Sequence, residues 1–219
     1  MMTLYGVYRS RASRPLWLLS EIGLPFTSVP VIQSDRLADP SATAAPLNTA
    51  SPAFLAISPL GQIPVLVDDD LILTESLAIT LHIARCHGGM LGPQSLAETA
   101  LMDQWALFAA TAIEGPARAI LNTVEAGGIG TAEGQAAIAR SAQTLQRPLG
   151  RLQALFSGHP YLIGNRFTVA DLNLAECLRY AQVYPVLIAE FPAVNDWLMR
   201  CQQRPAFQVM FQGQQAEMD

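Results

Sequence analysis

Hydrophobic and polar positions divide the chain into two parts with different periods. Up to about residue 88, short apolar runs typical of strands alternate with helical ones. The pattern predicts strands at Thr3–Tyr8, Phe26–Ile32, Ile63–Val67 and Leu71–Leu73. It predicts helices between Ser13 and Gly23, over residues 51–57, and from Thr74 or Glu75 to His87. The order β-α-β, short helix, β-β-α is typical of a small mixed sheet with helices on its faces.

Beyond residue 88 the pattern is helical throughout. A run of glycines and a proline over residues 88–93 marks the best domain boundary. Helices are predicted near residues 95–126, 131–157, 168–183 and 193–203, the first with a possible kink at Pro116. The sequence therefore predicts an α/β domain over residues 1–88, a linker over 89–94 and an all-helical domain over 95–219. One helix start, Phe167 to Asp171, reads as a capping box with a structural role.

The amino-acid composition excludes some catalytic mechanisms and some kinds of partner. The chain has 13 basic residues and all are arginines, so a Schiff-base lysine and a phosphate-loop lysine are excluded. The net charge of −5, spread over both parts, argues against a nucleic-acid partner.

Targeting and metal signals are weak. The first residues lack the apolar region of a signal peptide, and no apolar run approaches the length of a membrane span. Three widely spaced cysteines (Cys86, Cys177 and Cys201) suggest reduced thiols, so we expect a soluble cytoplasmic protein with no membrane partner. His82, Cys86 and His87 fit no common ligand spacing, and no metal is expected.

Three short motifs carry candidate chemistry, and each also has a purely structural interpretation. Ser10 lies at a strand-to-helix turn, where a hydroxyl caps the helix or stabilises a bound anion. Pro64 either starts an edge strand or is a cis-proline that exposes the backbone of Ile63 to an extended peptide. Glu75 and Ser76 either cap a helix or hold the ammonium and carboxylate of an amino-acid head group.

In this order and spacing the motifs resemble the cytosolic glutathione transferases, in particular serine-type, theta-like bacterial members. The matching segments are SRASRPLWLLSEIGLPF at 10–26, SPLGQIPVLVDDDLILTESLAITLHIA at 58–84 and YLIGNRFTVADLNLA at 161–175. The resemblance implies a thioredoxin-like, glutathione-binding N-terminal domain and an all-α C-terminal domain. It also implies a homodimer, a role in detoxification, and an electrophile pocket between the two domains.

The resemblance also implies roles for single residues. Ser10 matches the serine that holds the glutathione thiolate, and Ser13, one helical turn on, is the rival hydroxyl. Ile63 and its cis-proline Pro64 match the residues that pair with the cysteinyl backbone. Glu75 and Ser76 match the pair that holds the γ-glutamyl head. Gln62 stands where many members have a lysine for the glycine carboxylate, and Arg14 or Arg36 are candidate replacements for that charge.

The electrophile and the reaction are less constrained. Tyr8, Phe108 and Thr111 are the candidate residues of the electrophile pocket. The leading expectation is conjugation of glutathione, as co-substrate, to a small hydrophobic electrophile. Glutathione-dependent reduction of peroxides or disulfides is an alternative, and so is a non-catalytic binding protein with the same fold. Residues 1–85 contain no cysteine, which disfavours a mixed disulfide with the enzyme in that domain.

Overall fold

The computed structural model of the chain describes residues 2–217. The chain divides into two compact units. One unit runs to Gly89 and also takes in the segment from Pro205 onward, and the other is Met90–Arg204. The sequence predicts that the segment after Pro205 belongs to the second domain, whereas in the structure it clusters with the first unit.

A four-stranded mixed sheet forms the centre of the first unit. Its strands are β1 (Met2–Tyr5), β2 (Thr27–Val29), β3 (Val65–Asp68) and β4 (Leu71–Leu73), in the order β2-β1-β3-β4. β1 pairs in parallel with β2 and antiparallel with β3, which forms a hairpin with β4. This is the mixed sheet that the sequence predicts. β1 and β2 are shorter than predicted, since β1 ends before Gly6 and β2 before Pro30.

Helices of the first unit pack against this sheet and against one another. They are α1 (Ser13–Ile22), α2 (Pro52–Leu55), α3 (Ser76–His87) and α10 (Pro205–Ala216). α1 carries a continuous buried run from Ser13 to Leu19 and lies between α3 and α10. Trp17 of α1 meets Phe207 of α10 edge to face, with ring centroids 5.0 Å apart. The helix α10 was not predicted from the sequence, although it begins at Pro205 and proline favours the first position of a helix.

The second unit is helical. It contains α4 (Leu96–Phe108), α5 (Gly115–Glu125), α6 (Ala132–Phe156), α7 (Val169–Leu178), α8 (Pro185–Ala189) and α9 (Pro192–Gln202). The predicted helix over 95–126 is interrupted by a π-helical segment, Ala109–Glu114, before α5. α6 and α9 match their predicted ranges closely, whereas α8 was not predicted.

α7 is buried along its whole length and is the centre of the second unit. The capping box predicted at its start is confirmed: the Thr168 side chain accepts the backbone N–H of Asp171, and the Asp171 carboxylate accepts that of Thr168. Asp171 also accepts hydrogen bonds from the N–H of Leu162 and the indole of Trp197. Burial raises the pKa of Asp171 to about 6, although these hydrogen bonds oppose the rise.

Within residues 2–217, none of the helices combines the length and the apolar character that a membrane crossing requires.

Candidate functional site

The segment between β1 and α1 carries Ser10. The Ser10 side chain is partly exposed, and its Oγ donates to the carbonyl of Val7 at 2.7 Å. The same oxygen accepts the backbone N–H of Ala12 at 3.0 Å, immediately before α1 begins. A hydroxyl that accepts such a bond is polarised and becomes a better donor. The hydroxyl therefore stands beside a helix N-terminus, in a suitable place to donate to an anion.

Ser13, the rival hydroxyl, is in a different environment. It is the first residue of α1 and is fully buried, and its backbone N–H donates to the carbonyl of Ser10 at 3.1 Å. Between the two serines, the hydroxyl that solvent or a ligand reaches is that of Ser10.

Gly6 brings the Ser10 segment close to the second motif. A Cβ on Gly6 would lie 2.7 Å from the Cβ of Ala12 and 3.7 Å from the Cα of Pro64. Any larger residue would force these two segments apart. Glycine is needed here because the structure allows no side chain between them.

The Ile63–Pro64 peptide bond is cis, which confirms the prediction for Pro64. Ile63 precedes β3, and its N–H and C=O have no hydrogen-bond partner among residues 2–217. Gln62 is exposed, and its N–H donates to the Ser58 hydroxyl at 3.3 Å. The N–H and C=O of Ile63 are thus open to pairing with a peptide backbone.

Glu75 and Ser76 form the N-terminus of α3. Glu75 is exposed and has φ of 64° and ψ of 106°, a conformation that residues other than glycine rarely adopt. Ser76 is buried, and its hydroxyl accepts a hydrogen bond from Nη1 of Arg14 at 2.8 Å. An exposed carboxylate and a helix N-terminus backed by a buried guanidinium can meet an ammonium and a carboxylate, respectively.

Arg14 and Arg36, the candidate replacement cations, occupy different places. Arg14 is buried between α1 and the start of α3, as its bond to Ser76 requires. Arg36 is exposed and donates from Nη2 to the carbonyl of Arg9 at 2.9 Å. Their contacts put Arg14 at the predicted head-group cradle and Arg36 at the segment that leads to Ser10.

Tyr8, Phe108 and Thr111, the residues predicted for the electrophile, belong to two units. Tyr8 lies in the first unit, and its ring packs against Gly213 of α10. Phe108 ends α4 in the second unit, edge to face with Trp105. Thr111 is exposed in the π-helical segment, and its hydroxyl donates to the carbonyl of Leu107 at 2.8 Å.

The contacts of α10 with the Ser10 segment were missed from the sequence. Gln214 and Glu217 hydrogen-bond to the backbone of Tyr8 and Arg9. The signal was present, since a proline at a first helical position and apolar residues at helical spacing (Ala206, Phe207, Met210) predict a helix.

Within the described part of the chain, no group of three or more His, Cys, Asp or Glu side chains is arranged to hold a metal ion.

Known family models match both parts of the chain. Residues 1–85 match the family model described as "Glutathione S-transferase, N-terminal domain", and residues 100–205 match "Glutathione S-transferase, C-terminal domain". Glutathione S-transferase 4 of Zea mays is 33% identical over 199 residues, which cover 89% of this chain and 84% of that protein.

Solved structures agree over nearly the whole chain. Glutathione transferase F7 from Populus trichocarpa is 31% identical with a TM-score of 0.80, covering 98% of this chain and 99% of that one. The theta class glutathione S-transferase from Xanthomonas axonopodis pv. citri, solved with glutathione bound, is 30% identical with a TM-score of 0.75, covering 94% and 95%. These likenesses bear out the predicted fold, a thioredoxin-like N-terminal part with a helical C-terminal one. The chain belongs to the glutathione S-transferase family.

Proposed function

We propose that this glutathione transferase joins the glutathione thiolate to a small hydrophobic electrophile, and that the Ser10 hydroxyl stabilises the thiolate. The observation that carries the proposal is the placement of Ser10, which is partly exposed beside the N-terminus of α1 and accepts the N–H of Ala12. In this proposal the enzyme is serine-type and theta-like. The Ser10 hydroxyl has a single proton, which turns from the carbonyl of Val7 to the sulfur when glutathione binds.

The free energy needed to lower the pKa of the glutathione thiol is modest. A free thiol has a pKa of about 8.5, and each unit by which the site lowers it corresponds to about 1.4 kcal/mol. A hydroxyl hydrogen bond and a helix N-terminus together supply roughly 1–3 kcal/mol. Such a contribution raises the ratio of thiolate to thiol in bound glutathione by about one to two orders of magnitude, and the thiolate is the attacking species.

The rest of glutathione is assigned to the neighbouring motifs. Ile63, held by cis Pro64, pairs with the cysteinyl backbone through its N–H and C=O. The exposed Glu75 takes the ammonium of the γ-glutamyl head, and Ser76 with the N-terminus of α3 takes its carboxylate, with Arg14 behind it. The Gln62 amide meets the glycine carboxylate without a charge.

Several expectations from the sequence also remain proposals. These are a homodimer, a cytoplasmic location, a role in detoxification, no metal, an electrophile site that includes Tyr8, Phe108 and Thr111, and a domain boundary at residues 89–94.

The test is Ser10→Ala, with the exposed Ser20→Ala on α1 as the matched control. The pH dependence of kcat/KM with an activated aryl chloride reports the pKa of the bound thiol. We expect Ser10→Ala to raise that pKa by about one unit or more and to lower kcat/KM at pH 6.5 about tenfold or more. Ser20→Ala should behave as the wild type. An unchanged profile for Ser10→Ala removes Ser10 from the mechanism.

A substrate panel separates the alternatives. Turnover of hydroperoxides without turnover of the aryl chloride favours a glutathione-dependent peroxidase. Calorimetry that detects no glutathione binding at millimolar concentration favours a non-catalytic protein with this fold.

A further inference from the structure

We propose that Glu217 is a positioning residue for Ser10: acting through the backbone of Tyr8 and Arg9, its carboxylate fixes where the Ser10 hydroxyl stands. The inference rests on the proposed role of Ser10 and assigns a second part of the chain to the same site. It starts from an unusual pattern of hydrogen bonds just before Ser10.

Side chains alone satisfy the backbone of Tyr8 and Arg9. The two carboxylate oxygens of Glu217 accept the N–H groups of Tyr8 and Arg9, at 2.9 and 2.8 Å. The carbonyl of Tyr8 accepts from the Gln214 amide at 3.2 Å. The carbonyl of Arg9 accepts from Gln33 at 3.0 Å and from Arg36 at 2.9 Å. All four polar groups are thus held from elsewhere in the first unit, and three of them by α10 or the residue that follows it.

Consecutive N–H groups that point at one carboxylate form a small anion-binding nest. Hydrogen bonds from N–H to an ionised carboxylate are roughly twice as strong as those between neutral groups. Glu217 therefore fixes the conformation of two successive residues, and Ser10 follows directly. Because neither Tyr8 nor Arg9 belongs to a strand or a helix, no regular backbone pairing does this in its place.

The shape of α10 fits the same purpose. Gly213 is a helical residue, and a Cβ added there would lie 2.9 Å from three ring atoms of Tyr8. A glycine inside a helix destabilises it relative to alanine, so the presence of Gly213 calls for a packing reason. Glu217 directly follows α10, and its N–H donates to the carbonyl of Gly213 at 3.3 Å, so the two residues lie on one face, a helical turn apart. That face receives the Tyr8 ring at one turn and binds the Tyr8–Arg9 backbone at the next.

The contact of Glu217 with the backbone affects catalysis through the position of the Ser10 hydroxyl. A hydroxyl stabilises a thiolate only at hydrogen-bond distance, and small displacements of a catalytic group reduce rates steeply. Removal of Glu217 leaves two N–H groups without their acceptor, and the segment that carries Ser10 can shift. The group that touches the sulfur remains Ser10, and Glu217 acts through it.

The experiment compares Glu217→Ala, Glu217→Gln, Ser10→Ala and the control Gln215→Ala. Gln215 is exposed on the same helix, and its side chain forms no hydrogen bond among the described residues. For each protein, thiolate absorbance of bound glutathione is titrated against pH and kcat/KM is measured with the aryl chloride. Thermal unfolding is recorded in parallel. We expect Glu217→Ala to raise the thiol pKa and to lower kcat/KM at pH 6.5 about tenfold. We expect Glu217→Gln, which keeps one acceptor oxygen, to fall between Glu217→Ala and the wild type.

The outcomes separate the two proposals. If Ser10→Ala shifts the thiol titration and Glu217→Ala does not, the role of Glu217 is overturned while that of Ser10 stands. A lower unfolding temperature with an unchanged titration also overturns the role of Glu217, since it means that the contact only stabilises the fold. If Ser10→Ala leaves the titration unchanged, the assignment of Ser10 fails and the inference fails with it. If Ser10→Ala and Glu217→Ala both shift the thiol titration and Gln215→Ala does not, the inference is supported.

Discussion

Arg14 and Ser76 meet inside the first unit, where Nη1 of the arginine donates to the serine hydroxyl at 2.8 Å. Both residues are buried, the arginine with 1% of its surface exposed. The contact joins α1, which follows the Ser10 segment, to the N-terminus of α3, where the glutathione head group is proposed to bind. It therefore supports the fold and the site together.

Ser76→Ala should reduce both stability and glutathione binding. The change removes an acceptor from a buried guanidinium, and loss of such a partner costs about 1–3 kcal/mol. Urea unfolding measures the first effect, and the KM for glutathione, expected to rise, measures the second. Ser20→Ala, an exposed serine on α1, is the control. If Ser76→Ala matches the control in both measurements, the Arg14–Ser76 contact contributes to neither.

Glu75→Gly should separate stability from function. Glycine adopts the positive φ of Glu75 freely, so the substitution relieves backbone strain of roughly 1–3 kcal/mol. The greater conformational freedom of glycine in the unfolded chain offsets part of this gain. We expect an unfolding free energy that is unchanged or higher by about 1 kcal/mol, with a raised KM for glutathione because the carboxylate is lost. Glu75→Gln keeps the strain and loses only the charge. A stability loss in Glu75→Gly without any change in KM contradicts this prediction.

Asp171 should make the unfolding free energy depend on pH. Its pKa is about 6 in the folded chain, above the ordinary value of 3.8, so the folded state binds this proton more tightly than the unfolded state. The contribution is complete below about pH 4 and is lost as the pH rises through 6, a change of roughly 3 kcal/mol. The difference in unfolding free energy between wild type and Asp171→Asn, measured across this range, isolates the effect.

A direct titration of the wild-type Asp171 carboxyl by NMR tests the same prediction without a variant. A midpoint at or below pH 4 would show that the hydrogen bonds to the carboxylate outweigh its burial.

Arg166→Lys should destabilise the second unit. Arg166 bonds to both carboxylate oxygens of Glu98 and, through Nε, to the carbonyl of Met90 at 3.0 Å. Hydrogen bonds from Arg166 hold the pKa of Glu98 below its usual value. A lysine has one compact charge and cannot reproduce this planar set of contacts. We expect a loss of about 1–2 kcal/mol by urea unfolding, while Arg140→Lys, an exposed arginine on α6, should be neutral. Equal stability of the two variants would show that charge alone suffices at position 166.

The sequence predicted the elements with strong local signals. The β3–β4 hairpin and the capping box of α7 both depend on residues close together in the chain, whereas the cis bond before Pro64 was one of two alternatives that the local sequence left open. Local patterns determine such features, because turn chemistry and capping act over a few residues.

The features that were missed depend on distant partners. Ser10 and Ser13 look equivalent in the sequence, and burial, which packing of the whole unit decides, separates them. α10 has a helical pattern in the sequence, but its contacts with α1 and with the segment before Ser10 join residues that are far apart in the chain. The contact between Tyr8 and Glu217 spans more than 200 positions. No local rule links such residues.

Closure of the first unit by α10 has a consequence for how the protein is made. Ribosomes deliver the sheet, α1 and α3 first, while the helix that covers α1 follows only after the whole of Met90–Arg204. During synthesis, the contact of Trp17 with Phe207 and the hydrogen bonds of Glu217 to the backbone before Ser10 cannot form until the last segment of the chain has been made. Contacts between residues that are so far apart in the sequence form slowly, since the long loop between them must be ordered first. The nascent glutathione-binding unit therefore stays incomplete until the helical unit has been synthesised, and residues 2–89 expressed alone would present an uncovered apolar face on α1.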